Sequence, residues 1–86
     1  MRIERSFRGI SERLARRYLT NLGGKPANGE DSTVKGEGWQ ATLSAEKVAI
    51  GQSLTLNEVT VVFEGEQETL EPLIDSFAQK AMRAGG

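Results

Sequence analysis

Two segments of this chain repeat their apolar residues at helical spacing, and the stretch between them does not. That contrast leaves few folds open. Leu14, Ala15, Tyr18, Leu19 and Leu22 form one apolar stripe, with Glu12, Arg13, Arg16, Arg17 and Thr20 on the opposite face, so an amphipathic helix follows Ser11. Ser11 is a good N-cap, Glu12 and Arg16 stand four apart in the favourable order, and Gly23-Gly24 ends the helix. Leu70, Leu73, Ile74, Phe77, Ala78 and Ala81 make a second stripe, which predicts a helix from Thr69 to Ala84. Pro72 lies near its start, where a missing N–H does little harm. Glu68, Glu71 and Asp75 stand toward its N-terminus and Lys80 and Arg83 toward its C-terminus, as the helix dipole favours. Each helix has one apolar face and needs one surface to cover.

The remaining residues supply that surface. Residues 2 to 8 alternate, Ile3 and Phe7 on one side and Arg2, Glu4, Ser6 and Arg8 on the other, which is the period of a half-buried strand. Arg5 falls on the apolar side and is expected at a sheet edge or beside a carboxylate. Lys25 to Ser32 reads as a loop. Thr33 to Gly65 is rich in Val, Thr, Leu and Ile and reads as three or four antiparallel strands. Breaks are expected at Gly36-Glu37-Gly38, Ala45-Glu46, Gly51-Gln52-Ser53 and Asn57-Glu58. Trp39, Ala41 and Leu43 alternate with Gln40, Thr42 and Ser44, one side buried and one wet. Val59, Val61 and Phe63 give the last strand its buried side. Two one-sided helices on one curved antiparallel sheet make a single two-layer α+β domain over residues 1–86.

Composition narrows the chemistry. The chain has no Cys and no His, which removes disulfides, Cys or His zinc sites, thiol nucleophiles and imidazole catalysis. Acid–base work would fall to Asp, Glu, Lys or Tyr, and the expectation is a protein that is not an enzyme and holds no cofactor. No apolar run approaches the ~20 residues that span a bilayer, and the start Met1-Arg2-Ile3-Glu4 lacks the apolar segment of a signal peptide. A cytoplasmic location is expected. Net charge is −1 but unevenly spread: residues 1–25 carry +5 and the rest −6. Such asymmetry fits internal pairing or an acidic protein partner. A sequence pI near 5.4 disfavours nucleic acid.

The strand–helix–strands–helix order, together with Phe7-Arg8-Gly9-Ile10, Gly38-Trp39, Leu54-Thr55-Leu56 and Val61-Val62-Phe63-Glu64-Gly65, resembles a family of domains found at the C-terminal end of MoaD-related proteins, behind a ubiquitin-like molybdopterin-synthase small subunit. The resemblance covers essentially the whole chain. It implies a TBP-like fold of order β-α-ββββ-α and an association with sulfur-carrier and molybdenum-cofactor proteins, and it implies no established activity. This chain contains no ubiquitin-like segment of its own, so such a protein would be met in trans.

Four features could carry function. Gly85-Gly86 is the handle of ubiquitin-like carriers and modifiers activated through their last glycine, and glycine lets such a tail thread a narrow channel in extended form. Those carriers are β-grasp folds, built strand, strand, helix, strand, with the tail after the last strand. The other reading of Gly85-Gly86 is a helix end. Arg13, Arg16 and Arg17 share roughly a 100° arc of the first helix, where guanidinium groups could grip the carboxylates of a protein partner or a phosphate backbone. A solvated face is the other reading. Trp39, the only tryptophan, either stacks on bases, anchors an interface or supplies core volume. The acidic series Glu64, Glu66, Glu68, Glu71 and Asp75 lacks a calcium-loop spacing and is explained by the dipole, so no metal site is expected. The reading that emerges is a non-catalytic accessory module for a ubiquitin-like sulfur carrier, with Arg13, Arg16, Arg17 and Trp39 as partner-binding residues. The alternatives are a carrier activated at Gly86 and a nucleic-acid-binding module.

Overall fold

The computed structural model describes residues 1–27 and 32–85, with the side chains of 84 and 85 excepted. Seven elements follow one another: β1 (Arg2–Arg8), α1 (Glu12–Asn21), β2 (Lys25–Pro26), β3 (Thr33–Gly36), β4 (Trp39–Ala49), β5 (Thr55–Gly65) and α2 (Gln67–Gly85). The strands form one antiparallel sheet in the order β1-β5-β4-β3-β2, and it does not close into a barrel. The element order is strand, helix, four strands, helix, as the family resemblance implied, with three of the four strands inside Thr33–Gly65, and the architecture is a two-layer α+β domain.

One face of the sheet is apolar and the helices cover it. Trp39, Ala41 and Leu43 of β4 and Val59, Val61 and Phe63 of β5 point into a core completed by Ile10, Ala15, Leu19, Val34, Leu70, Leu73, Ile74, Phe77 and Ala81. Phe77 is the hub, in edge-to-face contact with Phe7 (4.9 Å), Phe63 (5.9 Å) and Tyr18 (6.0 Å). One residue of α2 thus ties together β1, β5 and α1. The other face of the sheet is polar where β1 and β5 pair. There Ser6 Oγ lies 3.1 Å from Thr60 Oγ1, and Arg8 Nε donates to Glu58 Oε2 at 2.9 Å.

Local chemistry sets the ends of α1. Ser11 Oγ accepts from the Leu14 amide at 3.1 Å. At the other end Gly23, at φ +102°, donates to the Thr20 carbonyl while Gly24 donates to the Leu19 carbonyl. This is a Schellman closure that needs a left-handed residue at Gly23. The α2 helix starts two residues before the expected Thr69 and includes Gly85. Arg5 lies on the edge strand β1, in a depression it shares with Glu71 and Asp75 of α2. The edge half of the expectation for this residue holds.

The strand region departs from expectation in two ways. Lys25–Pro26, assigned to a loop, pairs with Val34 and Lys35 as a two-residue strand, and residues 28–31 of that segment lie outside the described residues. The breaks expected at Ala45-Glu46 and Asn57-Glu58 are absent. The β4–β5 ladder runs on through Ala45↔Val59, Glu46↔Glu58 and Lys47↔Asn57 to Ala49↔Thr55. A continuous set of cross-strand hydrogen bonds overrides the weak strand preference of Glu, Lys and Asn. Because β1 pairs no further than Glu58 and β3 no further than Thr42, the far half of this hairpin projects from the body as a two-stranded arm.

Candidate functional site

The α1 helix presents its polar face away from the core because Ala15 and Leu19, fully buried, fix its rotation. Arg13 and Arg17 are exposed, one turn apart, and flank a shallow depression with Ser11 and Leu14. Arg16 differs from its neighbours. It is half-buried and has an interaction of its own, while its carbonyl accepts from Thr20 Oγ1 at 2.9 Å. The triplet therefore divides into two outward guanidinium groups and one held closer to the fold.

Trp39 is 9 % exposed. Its ring lies in a slot between two glycines: a Cβ at Gly36 would stand 2.0 Å from Trp39 Cε2, and one at Gly24 would stand 2.7 Å from Trp39 Cη2. What remains of the ring lines an open depression of about 410 Å³ with Leu22, Gly23, Glu37, Pro72 and Leu73. This lies by the C-terminal end of α1, whereas Arg13 and Arg17 flank a different depression near its N-terminal end. The structure does not bring Trp39 and the arginines into one site.

Gly85 is the last residue of α2, and Gly86 lies outside the described residues. At the start of the same helix Glu66, Gln67, Glu68 and Glu71 surround a polar depression, with Gln67 Nε2 donating to Glu71 Oε1 at 2.8 Å. Among the described residues no three acidic side chains converge as a metal site. No helix among them is long and apolar enough to cross a membrane.

Sequence reasoning missed the surface of the arm. In the body of the sheet the apolar residues of β4 and β5 are the odd-numbered ones, facing the helices. In the arm the phase reverses: Val48 pairs with Leu56 on the face away from the helices, and Ile50 and Leu54 follow at the tip, where the Ile50 amide donates to the Leu54 carbonyl. Ile50, Leu54 and Leu56 are 45, 60 and 38 % exposed. Strict alternation with a two-residue period would have shown this, since Val48 and Ile50 are out of step with Trp39, Ala41 and Leu43.

The family model of archaeal MoaD-like proteins matches residues 3–86. The chain belongs to the archaeal MoaD-like family. No curated protein matches it. The match runs from β1 to the end of α2, so it embraces the whole sheet and both helices and is not confined to a tail or a single motif. In this archaeal MoaD-like chain a helix follows the first strand directly, and the last element is a helix. The β-grasp order of strand, strand, helix, strand is a different arrangement.

Proposed function

We propose that this archaeal MoaD-like domain is a non-catalytic interaction module that works beside a ubiquitin-like sulfur carrier supplied by another polypeptide. One observation carries the reading: a MoaD-like family match over residues 3–86 falls on a fold that is not the β-grasp of the carriers themselves. Relationship to the carrier system without the carrier's own architecture is the situation of an accessory domain. The absence of Cys and His from the sequence is in keeping with a role that needs no catalysis. The contact face is the outward side of α1. Arg13 and Arg17 offer ten N–H donors between them in two planar forks suited to carboxylates, and the apolar edge of Leu14 lies beside them. An acidic surface on the carrier is the complement this face requires.

The test is purification of the N-terminally tagged protein from its native cells. Co-purifying proteins and the peptide containing Gly86 are then identified by mass spectrometry. The reading expects a stoichiometric ubiquitin-like protein, an unmodified glycine carboxylate, and loss of the partner when Arg13 and Arg17 are both changed to Glu. A partner retained by that double variant removes α1 as the contact face. A thiocarboxylate or isopeptide at Gly86 overturns the module reading and makes the chain a carrier.

A further inference from the structure

The two edges of the sheet are unlike. The β2 edge is two residues long and contains Pro26, which has no N–H to offer, so it cannot extend the sheet. The β1 edge is seven residues long, contains no proline, and has no strand beside it among the described residues. Its register shows which backbone groups face outward. Gly9 N donates to Asn57 O and Gly65 N to Met1 O, so odd-numbered residues of this strand turn their amides and carbonyls toward β5. In an antiparallel ladder the alternate residues turn theirs the other way. Arg2, Glu4, Ser6 and Arg8 therefore present N–H and C=O groups to the open side. The same four residues are exposed.

Charges along an edge strand ordinarily prevent such pairing. Here their order makes the strand complementary to itself. An antiparallel two-fold centred on Ser6 sets Glu4 of each copy opposite Arg8 of the other, Ser6 opposite Ser6, and Arg5 opposite Phe7 on the helix side. Two ion pairs and two cation–π contacts result, with no like charges opposed. A two-fold centred on Glu4 opposes two carboxylates, and one centred on Arg5 opposes Arg5 to itself and Arg2 to Arg8. A two-fold centred on Ile3 also sets Arg2 opposite Glu4, but it overlaps only residues 2–4 of β1, against 4–8 for the two-fold on Ser6. Charge complementarity and length of overlap together favour the Ser6 register, which engages the outward backbone groups.

We propose that β1 is a homodimer interface, in which two copies pair their edge strands about Ser6 to form one continuous ten-stranded sheet. The inference stands apart from the choice of partner on α1, because Arg13 and Arg17 lie on a different element and are not part of the seam.

Sedimentation equilibrium of the 86-residue chain and its variants tests it. The wild type is expected to dimerise. Ser6→Pro deletes an outward amide that β5 does not use, so the fold is kept while the dimer dissociation constant rises at least about tenfold. Glu4→Arg and Arg8→Glu each oppose like charges across the seam and leave monomers. Mixing those two variants restores a heterodimer, because the introduced arginine then faces the introduced glutamate at one end while the native Arg8 faces the native Glu4 at the other. A wild-type chain that stays monomeric at millimolar concentration overturns the proposal. So does a dimer indifferent to Ser6→Pro, or two variants that fail to recover association when mixed while circular dichroism shows both folded.

Discussion

Adding one methyl group at Gly36 sets two known effects against each other. Gly36 pairs with Trp39 across the β3–β4 turn, and the indole lies directly over it. An alanine Cβ there would meet Trp39 Cε2 at 2.0 Å, Nε1 at 2.2 Å and Cζ2 at 2.3 Å, all far inside contact distance. The ring must move more than an ångström to restore ordinary spacing of about 3.5–4.0 Å. It cannot move toward Gly24, where the slot has its other wall, so it moves outward. Overpacking of this kind costs about 1–3 kcal/mol. Replacing glycine by alanine also reduces the freedom of the unfolded chain, which stabilises by about 0.4–1 kcal/mol. The clash wins, and Gly36→Ala should lose about 1–2 kcal/mol net. Urea unfolding followed by Trp39 fluorescence reads both consequences: a midpoint lowered by roughly 1 M, at the ~1–3 kcal/mol/M slope of small domains, and a red-shifted native emission as the ring meets water. The same change in a Trp39→Phe background, followed by circular dichroism, should cost less, with a coupling of about 1 kcal/mol. A Gly36→Ala protein as stable as the parent with unshifted emission would refute the slot as described, and so would strict additivity with Trp39→Phe.

Phe77→Ala removes the ring that three other aromatic rings touch and should cost about 3–5 kcal/mol by chemical denaturation, a large share of the roughly 4–13 kcal/mol that a chain of this length holds in total. Ser11→Ala takes away the acceptor for the Leu14 amide and should cost about 1 kcal/mol, read as a drop in melting temperature of several degrees. Leu54→Ser changes a residue 60 % exposed at the tip of the arm. Its unfolding free energy should stay within about 0.5 kcal/mol of the parent, so a larger loss would mean that the arm packs on something in solution.

What was legible in the sequence was whatever depends on local periodicity. The stripe Leu14–Leu22 located α1 and its buried face, Ser11 and Gly23 marked its ends, and Leu70–Ala81 did the same for α2. The missed strand boundaries share a cause: pairing between strands, which the preferences of single residues do not report. Glu46, Lys47 and Asn57 are poor strand formers taken singly, but each sits in a ladder that continues past them. Pro26 hid β2 because an edge position that excuses a missing N–H cannot be recognised without the sheet. The candidate site divides in the same way. Helical geometry placed Arg13 and Arg17 together on one arc, but the half-burial of Arg16 depends on what packs beside it. Trp39 lay between two readings until the fold showed Gly24 and Gly36 closing on its ring.

The end of α2 separates the accessory reading from the carrier reading by chemistry and not by stability. Phe77 and Ala81 are the last residues of that helix in the core, while Met82 is 73 % exposed and Arg83 is also exposed. The final turn past Ala81 carries backbone hydrogen bonds but anchors no described side chain, and helix ends of that kind open readily. Unwinding residues 82–85 into an extended tail would leave the Leu70–Ala81 stripe packed on the sheet. A helical Gly85 is therefore no obstacle to activation at Gly86, and a stable fold is no evidence for it. Removing Gly85 and Gly86 should leave the unfolding free energy within about 0.5 kcal/mol of the parent under either reading. If the truncated chain still recruits its partner, the module reading stands. If truncation abolishes function while the urea midpoint is unmoved, the glycines act as a chemical handle, and the carrier reading replaces it.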